Sequence, residues 1–301
     1  AWVRLTDAGL GCPDWPGCYG SLLVPNSAEE IASISEIYPD RPFDSGKAWR
    51  EMIHRYLATL LGLLCLSLSV IAFLNRRSPS QNVLLTFLLL VTVIFQGLLG
   101  MWTVTLLLKP VVVMAHLIGG LTTLGILSWL SRWQAPHLKT PNSIKRIAFI
   151  SLLVLIVQIS LGGWTSSNYA ALSCPDLPKC QASWWPPVMD FQEGFILWRG
   201  IGIDYEGGIL EHPARVAIHF SHRLGAIFSA FIIGLLAFRL LKLSITRLDG
   251  IFVLTALVAQ LSLGVSIVAF GIPLFIAVAH NAVAALLLLT VLNANQRLNN
   301  F

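Results

Sequence analysis

Charge is scarce in this chain. Only 12% of its 301 residues are Asp, Glu, Lys or Arg, 55% are hydrophobic, and the mean hydropathy is +0.73. Soluble domains carry about 25% charged residues, so that class is excluded. Acidic residues are scarcer still in one set of connecting segments. Those following the first, third, fifth and seventh apolar runs hold Arg76, Arg77, Arg132, Lys139, Lys145, Arg146, Arg239, Lys242, Arg247 and Arg297 against Asp249 alone. The other fourteen of the fifteen carboxylates lie on the opposite side, so the basic side is expected to face the cytoplasm. A net charge of +5 distributed in this way reports topology and gives no reason to expect nucleic acid.

A bilayer-crossing helix needs ~20 mainly apolar residues, because its backbone polar groups must be satisfied within the segment. Seven stretches qualify: Met52 to Leu74, Val83 to Thr105, Val111 to Trp133, Ile147 to Trp164, Val216 to Leu240, Ile251 to Phe270 and Pro273 to Leu292. The expected class is an all-α membrane protein. Four of the five cysteines, Cys12, Cys18, Cys174 and Cys180, fall in outward loops. Their tight pairing beside prolines suits local bridges in an oxidising compartment better than zinc sites. Cys65, inside a span, reads as a small buried apolar residue. The long outward loops, 19 to 47 and 181 to 214, have room for short surface helices, with an amphipathic patch at Ile31 to Ile37 and interfacial tryptophans at Trp184, Trp185 and Trp198.

The chain repeats itself. Residues 1–18 lie over 163–180 without a gap, pairing Trp2 with Trp164, Cys12 with Cys174, Asp14 with Asp176 and Cys18 with Cys180. Further on, His54-Arg55 matches His222-Arg223, Gln96-x-x-x-Gly100 matches Gln260-x-x-x-Gly264, and Ala115-His116 matches Ala279-His280. The second copy has four spans. The first begins at Ala1-Trp2, where the second is leaving a helix, so eight spans are expected in the complete protein and seven here, with the first missing. An even-numbered unit enters the membrane from the same side each time, giving two pseudo-symmetric four-helix bundles with matching residues at equal depth. The expected halves are 1–134 and 145–301, joined by a cytoplasmic linker at 135–144.

Four of the seven histidines, His54, His116, His222 and His280, lie in apolar segments, two per half. Ionisable residues within spans are costly and point to function. Paired imidazoles from facing helices can supply both axial ligands of a haem iron. A lone interfacial histidine is more often a packing residue, but duplicated pairs weigh against that. No third or fourth ligand recurs in both halves, which lowers the case for zinc or copper. His219 is a second candidate ligand on the face of His222; His137 and His212 read as loop residues.

The halves differ where Glu51 faces His219 in the alignment, each three residues before its histidine. Glu51 either stands beside the first haem or is an acidic residue favoured in a first helical turn. Arg55 and Arg223 either pair with haem propionates or snorkel to the interface.

The stretch Leu5 to Cys18, with Glu51-Met-Ile-His-Arg55, Met114-Ala-His-Leu117, Phe220-Ser-His-Arg223 and Val278-Ala-His-Asn281, resembles the heme A synthase family over nearly the whole chain. The departure is at the N-terminus, where the first span is absent. The resemblance implies an oxidoreductase that converts the C8 methyl group of haem O to the formyl group of haem A for assembly of haem-copper oxidases. It implies that His54 and His116 belong to the haem O site, that His222 and His280 hold haem b, that Glu51 is catalytic, and that Cys12–Cys18 and Cys174–Cys180 are disulfides. With both imidazoles on the substrate iron no position is open for oxygen, so stepwise electron removal with water as oxygen source is expected; the alternative frees one histidine for molecular oxygen. Expected partners are a haem O synthase, an electron acceptor and membrane lipid; a homo-oligomer is left open. The expected location is the bacterial inner membrane, with the cysteine loops periplasmic. The rival functions are a non-catalytic dihaem electron carrier and a haem transporter or chaperone.

Overall fold

The computed structural model describes residues 2–39, 41–79, 81–134 and 138–298. Its helices are α1 (Trp2–Leu5), α2 (Ala28–Ile37), α3 (Ser45–Leu74), α4 (Val83–Thr105), α5 (Pro110–Ser131), α6 (Asn142–Ser167), α7 (Phe191–Gly194), α8 (His212–Leu241), α9 (Arg247–Ala269) and α10 (Leu274–Leu298), with a 3-10 turn at Ser244–Thr246 before α9. Seven of them are long and apolar enough to cross a membrane. They match the seven runs read from the sequence, and the protein is an all-helical, multi-pass membrane protein. His137 and part of the expected 135–144 linker lie outside the described residues.

Several helices extend beyond their apolar runs. α3 begins at Ser45 rather than Met52 because Asp44 caps it, its carboxylate accepting the Lys47 N–H at 2.9 Å, so the polar turns ahead of the span are helical too. α10 runs on to Leu298, where Asn295 is buried and donates to the Ala148 carbonyl at 2.8 Å. The patch at Ile31 to Ile37 lies within α2, opened by a capping box between Ser27 and Glu30.

The chain forms two compact units. The first holds Ala1–Gly120 with Leu197–Ile209, and the second holds Leu121–Ile196 with Leu210–Phe301; this division differs from the halves read from the repeat. In the second unit α6 packs on α8, α8 on α9, α9 on α10 and α10 on α6, closing a four-helix ring. Its core includes Leu155, Ile233, Leu236, Val253, Leu287 and Val291. In the first unit α3 packs on α4 and α1.

The segment Leu197–Ile209 is tied firmly into the first unit. Lys109, 2% exposed, donates through Nζ to the carbonyls of Arg199 (2.5 Å) and Gly200 (3.0 Å) and lies 3.5 Å from the centre of the Trp198 ring. Tyr205 is buried against Leu10, Val104 and Leu108, and Arg41 pairs with Asp204 at 2.5 Å and Glu206 at 2.9 Å.

Candidate functional site

Each cysteine pair closes a small loop that touches a long helix, α3 for Cys12–Cys18 and α8 for Cys174–Cys180. Cys12–Cys18 and Cys174–Cys180 are both bonded, with Cα atoms 4.7 and 4.6 Å apart. The loops share one internal pattern. Asp14 accepts the N–H groups of Tyr19 (2.6 Å) and Gly20 (2.8 Å), and Asp176 accepts those of Gln181 (2.6 Å) and Ala182 (2.8 Å). The amides of Ala182 and Gln181, opposed by some desolvation, hold Asp176 below its ordinary range. Residues 20 and 182 have φ of +79° and +60°, the left-handed turn that brings the second amide onto the aspartate.

The arginines after the paired histidines close over these loops. Arg55 donates to the carbonyls of Asp14 (2.9 Å), Pro16 (3.2 Å) and Gly17, and to Glu51 Oε1 at 2.5 Å. Arg223 donates to the carbonyls of Asp176 (2.8 Å), Lys179 (2.8 Å) and Cys174 (2.5 Å). Their identity was legible in the repeat, but this engagement with the loop backbone was not, because main-chain carbonyls leave no trace in side-chain spacing.

Glu51 is the seventh residue of α3, so the reading of it as a first-turn acid is overturned by where the helix starts. It is 4% exposed, and its Oε2 accepts the Cys12 N–H at 2.9 Å. At the matching place His219, also 4% exposed, accepts the Cys174 N–H through Nδ1 at 3.2 Å. The aligned Glu and His therefore do the same local job, anchoring a disulfide loop, and the carboxylate is the one chemical difference. His219 is committed to its loop.

His54 and His116 come together from α3 and α5, with ring centroids 6.2 Å apart and planes at 85°. Imidazole nitrogens each about 2.0 Å from a shared metal, the bond length known for zinc, place ring centroids roughly 6 Å apart. The pair is therefore spaced to clasp one ion between two neutral nitrogen donors. His54 is exposed and His116 half-buried.

The second pair lies on α8 and α10, where His222 and His280 are half-buried. Each is hemmed by glycine: a Cβ on Gly162 would stand 3.1 Å from His222 Cε1, and one on Gly264 would stand 3.2 Å from His280 Cε1. Among the described residues no group of three or more His, Cys, Asp or Glu gathers to hold a bare metal ion. Two imidazoles per site is the donor set of a haem iron, whose porphyrin supplies the remaining ligands.

A family model described as "Cytochrome oxidase assembly protein" (COX15-CtaA) matches residues 1–292. A heme A synthase of Shewanella oneidensis is 44% identical over 300 residues, covering 98% of this chain and 90% of that protein. Heme A synthases of Rhizorhabdus wittichii and Halalkalibacterium halodurans are 26% and 24% identical, over 99% and 97% of this chain and 88% of each relative.

Proposed function

The chain belongs to the cytochrome oxidase assembly protein (COX15-CtaA) family, and from that premise we propose that it is a heme A synthase, oxidising the C8 methyl group of haem O to the formyl group of haem A. It is an oxidoreductase of haem A biosynthesis. The observation that carries the finer reading is the 6.2 Å spacing of His54 and His116, which suits an iron held between them.

In this reading the substrate, haem O, sits between His54 and His116, with Glu51 three residues before His54 on the same helix. Two donors, Cys12 N–H and the Arg55 guanidinium, fix the carboxylate of Glu51. So oriented, it either positions a water, accepts a proton from it or stabilises positive charge developing at the methyl carbon. Two successive hydroxylations give a hydrated aldehyde, which loses water to leave the formyl group. Haem b, when held by His222 and His280, supplies one-electron relay chemistry; those two residues bind and orient it. His219, occupied by Cys174, offers no carboxylate in the second unit, which is why the chemistry belongs to the first.

The membrane is that of the bacterial cell, with the cysteine loops on the periplasmic side, as the distribution of basic residues favours. A haem O synthase delivers substrate, and an acceptor collects the electrons. Oxygen labelling tests the chemistry: label from water appears in the formyl group if electrons are withdrawn stepwise, and label from molecular oxygen would mean that one histidine leaves the iron. A dihaem electron carrier would leave haem O unchanged, and a haem transporter or chaperone would release it unmodified.

A further inference from the structure

Three of the four paired imidazoles rest against the same two-residue device on a neighbouring helix. Gly100, Gly162 and Gly264 approach so closely that an added Cβ would lie 3.5, 3.1 and 3.2 Å from the Cε1 atoms of His116, His222 and His280. One helical turn before each glycine stands a glutamine, Gln96, Gln158 or Gln260. The glycines make room for the rings, and the glutamines turn their amides toward the histidine helices.

Gln158 reaches furthest. Its Nε2 lies 3.0 Å from His222 Nδ1 and 3.0 Å from the His222 carbonyl oxygen. Space for that amide is provided by Gly225, where a Cβ would fall 2.3 Å from Gln158 Oε1. Gln96 repeats the arrangement over Gly119, three residues beyond His116, where a Cβ would meet its Nε2 at 1.7 Å. Gln260 Nε2 lies 3.2 Å from His280 Nε2.

Several polar atoms of this set are buried without a partner: Gln96 Nε2, Gln158 Oε1, Gln260 Oε1, His116 Nδ1 and His280 Nδ1. Leaving such atoms unpaired in the interior is unfavourable, so their concentration around three imidazoles calls for a reason.

A histidine that gives Nε2 to a metal carries its proton on Nδ1, and that N–H needs an acceptor to fix the tautomer and ring plane. An amide offers a donor at one end and an acceptor at the other. We propose that Gln158 is a positioning residue for His222: with haem bound, its amide gives up the His222 carbonyl and turns its vacant Oε1 to His222 Nδ1–H, and so sets the orientation and electron-donating strength of that imidazole. The proposal rests on the haem reading given above. It adds a tuning element that histidine spacing alone does not contain.

The test uses the full chain purified in detergent with its haem, comparing wild type with Gln158→Glu and Gln158→Leu. The readouts are haem b per chain, its midpoint potential and its low-temperature electron paramagnetic resonance spectrum. A carboxylate at 158 accepts the Nδ1 proton more strongly, makes the ligand more basic and favours ferric iron; leucine accepts nothing and favours ferrous iron. The two variants should therefore move the ferric–ferrous equilibrium in opposite directions, by at least about tenfold each, or ~59 mV for a one-electron couple. A role in packing alone would shift both the same way or neither, and either result overturns the proposal. If Gln158→Leu fails to accumulate, Gly225→Ala, which displaces the amide while keeping the glutamine, must shift the potential upward, and no shift counts against it. Failure of the underlying reading looks different: wild type would show no low-spin haem, or His222→Ala would keep it.

Discussion

Glu51 accepts the main-chain N–H of Cys12 at 2.9 Å, joining α3 to a disulfide loop 39 residues earlier in the chain. The second unit repeats the contact with His219 and Cys174. The two copies of the sequence repeat thus keep one anchoring geometry while differing in the group that makes it. Of the two groups, only the carboxylate can carry a negative charge.

Replacing Glu51 separates its two roles. Glu51→Gln keeps an oxygen for the Cys12 N–H, whereas Glu51→Ala does not. Both should slow conversion by ~10²-fold or more, the usual reach of a lost acid–base group, and haem O should accumulate in chromatograms of the extracted pigment. Hydrogen exchange of the loop around Cys12 should rise in the alanine variant alone. Undiminished haem A in both would favour the electron-carrier reading.

Single histidine replacements should remove one pigment at a time. His222→Ala is expected to lose haem b and retain haem O, and His54→Ala the reverse, as read by mass analysis of haems extracted per chain. Loss of both from either variant would point to general unfolding.

Arg223→Ala removes donors from three loop carbonyls. Hydrogen bonds from charged groups contribute roughly 1.5–3 kcal/mol each where well formed, so a destabilisation of ~2–3 kcal/mol is expected after solvent screening, visible as a lower Tm in detergent. Opening Cys174–Cys180 by reduction should cost ~2 kcal/mol for so short a loop. Because both act on one loop, the combined effect should fall short of the sum.

The Asp176 loop should respond to acid in one direction. Its carboxyl is held below the ordinary value of 3.8, chiefly by the Ala182 amide. A depressed folded value means the stabilisation is fully present above the ordinary value and is lost as pH falls through the lowered one. Protease cutting between Cys174 and Ser183 should therefore be flat from neutral pH down to about pH 4 and rise only below it. Asp176→Asn, which keeps one acceptor oxygen but no charge, should abolish that dependence.

Much of this was legible in the residues. Long apolar runs gave the seven helices within a few positions, since hydrocarbon leaves the backbone no alternative, and ring proximity at His54 and His116 followed the repeat. Helix starts were less legible: the turns from Ser45 to Glu51 are polar, so hydropathy passes over a helix that Asp44 begins. The grouping of Leu197–Ile209 with the first unit was not readable either, because it depends on Lys109 finding carbonyls 90 residues away. Gln96 and Gln260 appeared only as half of a repeat pattern and Gln158 not at all, because the contacts of Gln158 and Gln260 with His222 and His280 depend on how the helices pack.

The central claim is that paired imidazoles hold two porphyrin irons, one of them in the substrate. Mass analysis of the haems bound to protein purified from cells that make haem O addresses it directly. The account predicts haem b together with haem O, its hydroxylated forms or haem A on the same chain. A preparation that converts haem O while carrying no haem b, or that binds no haem O at all, would contradict it.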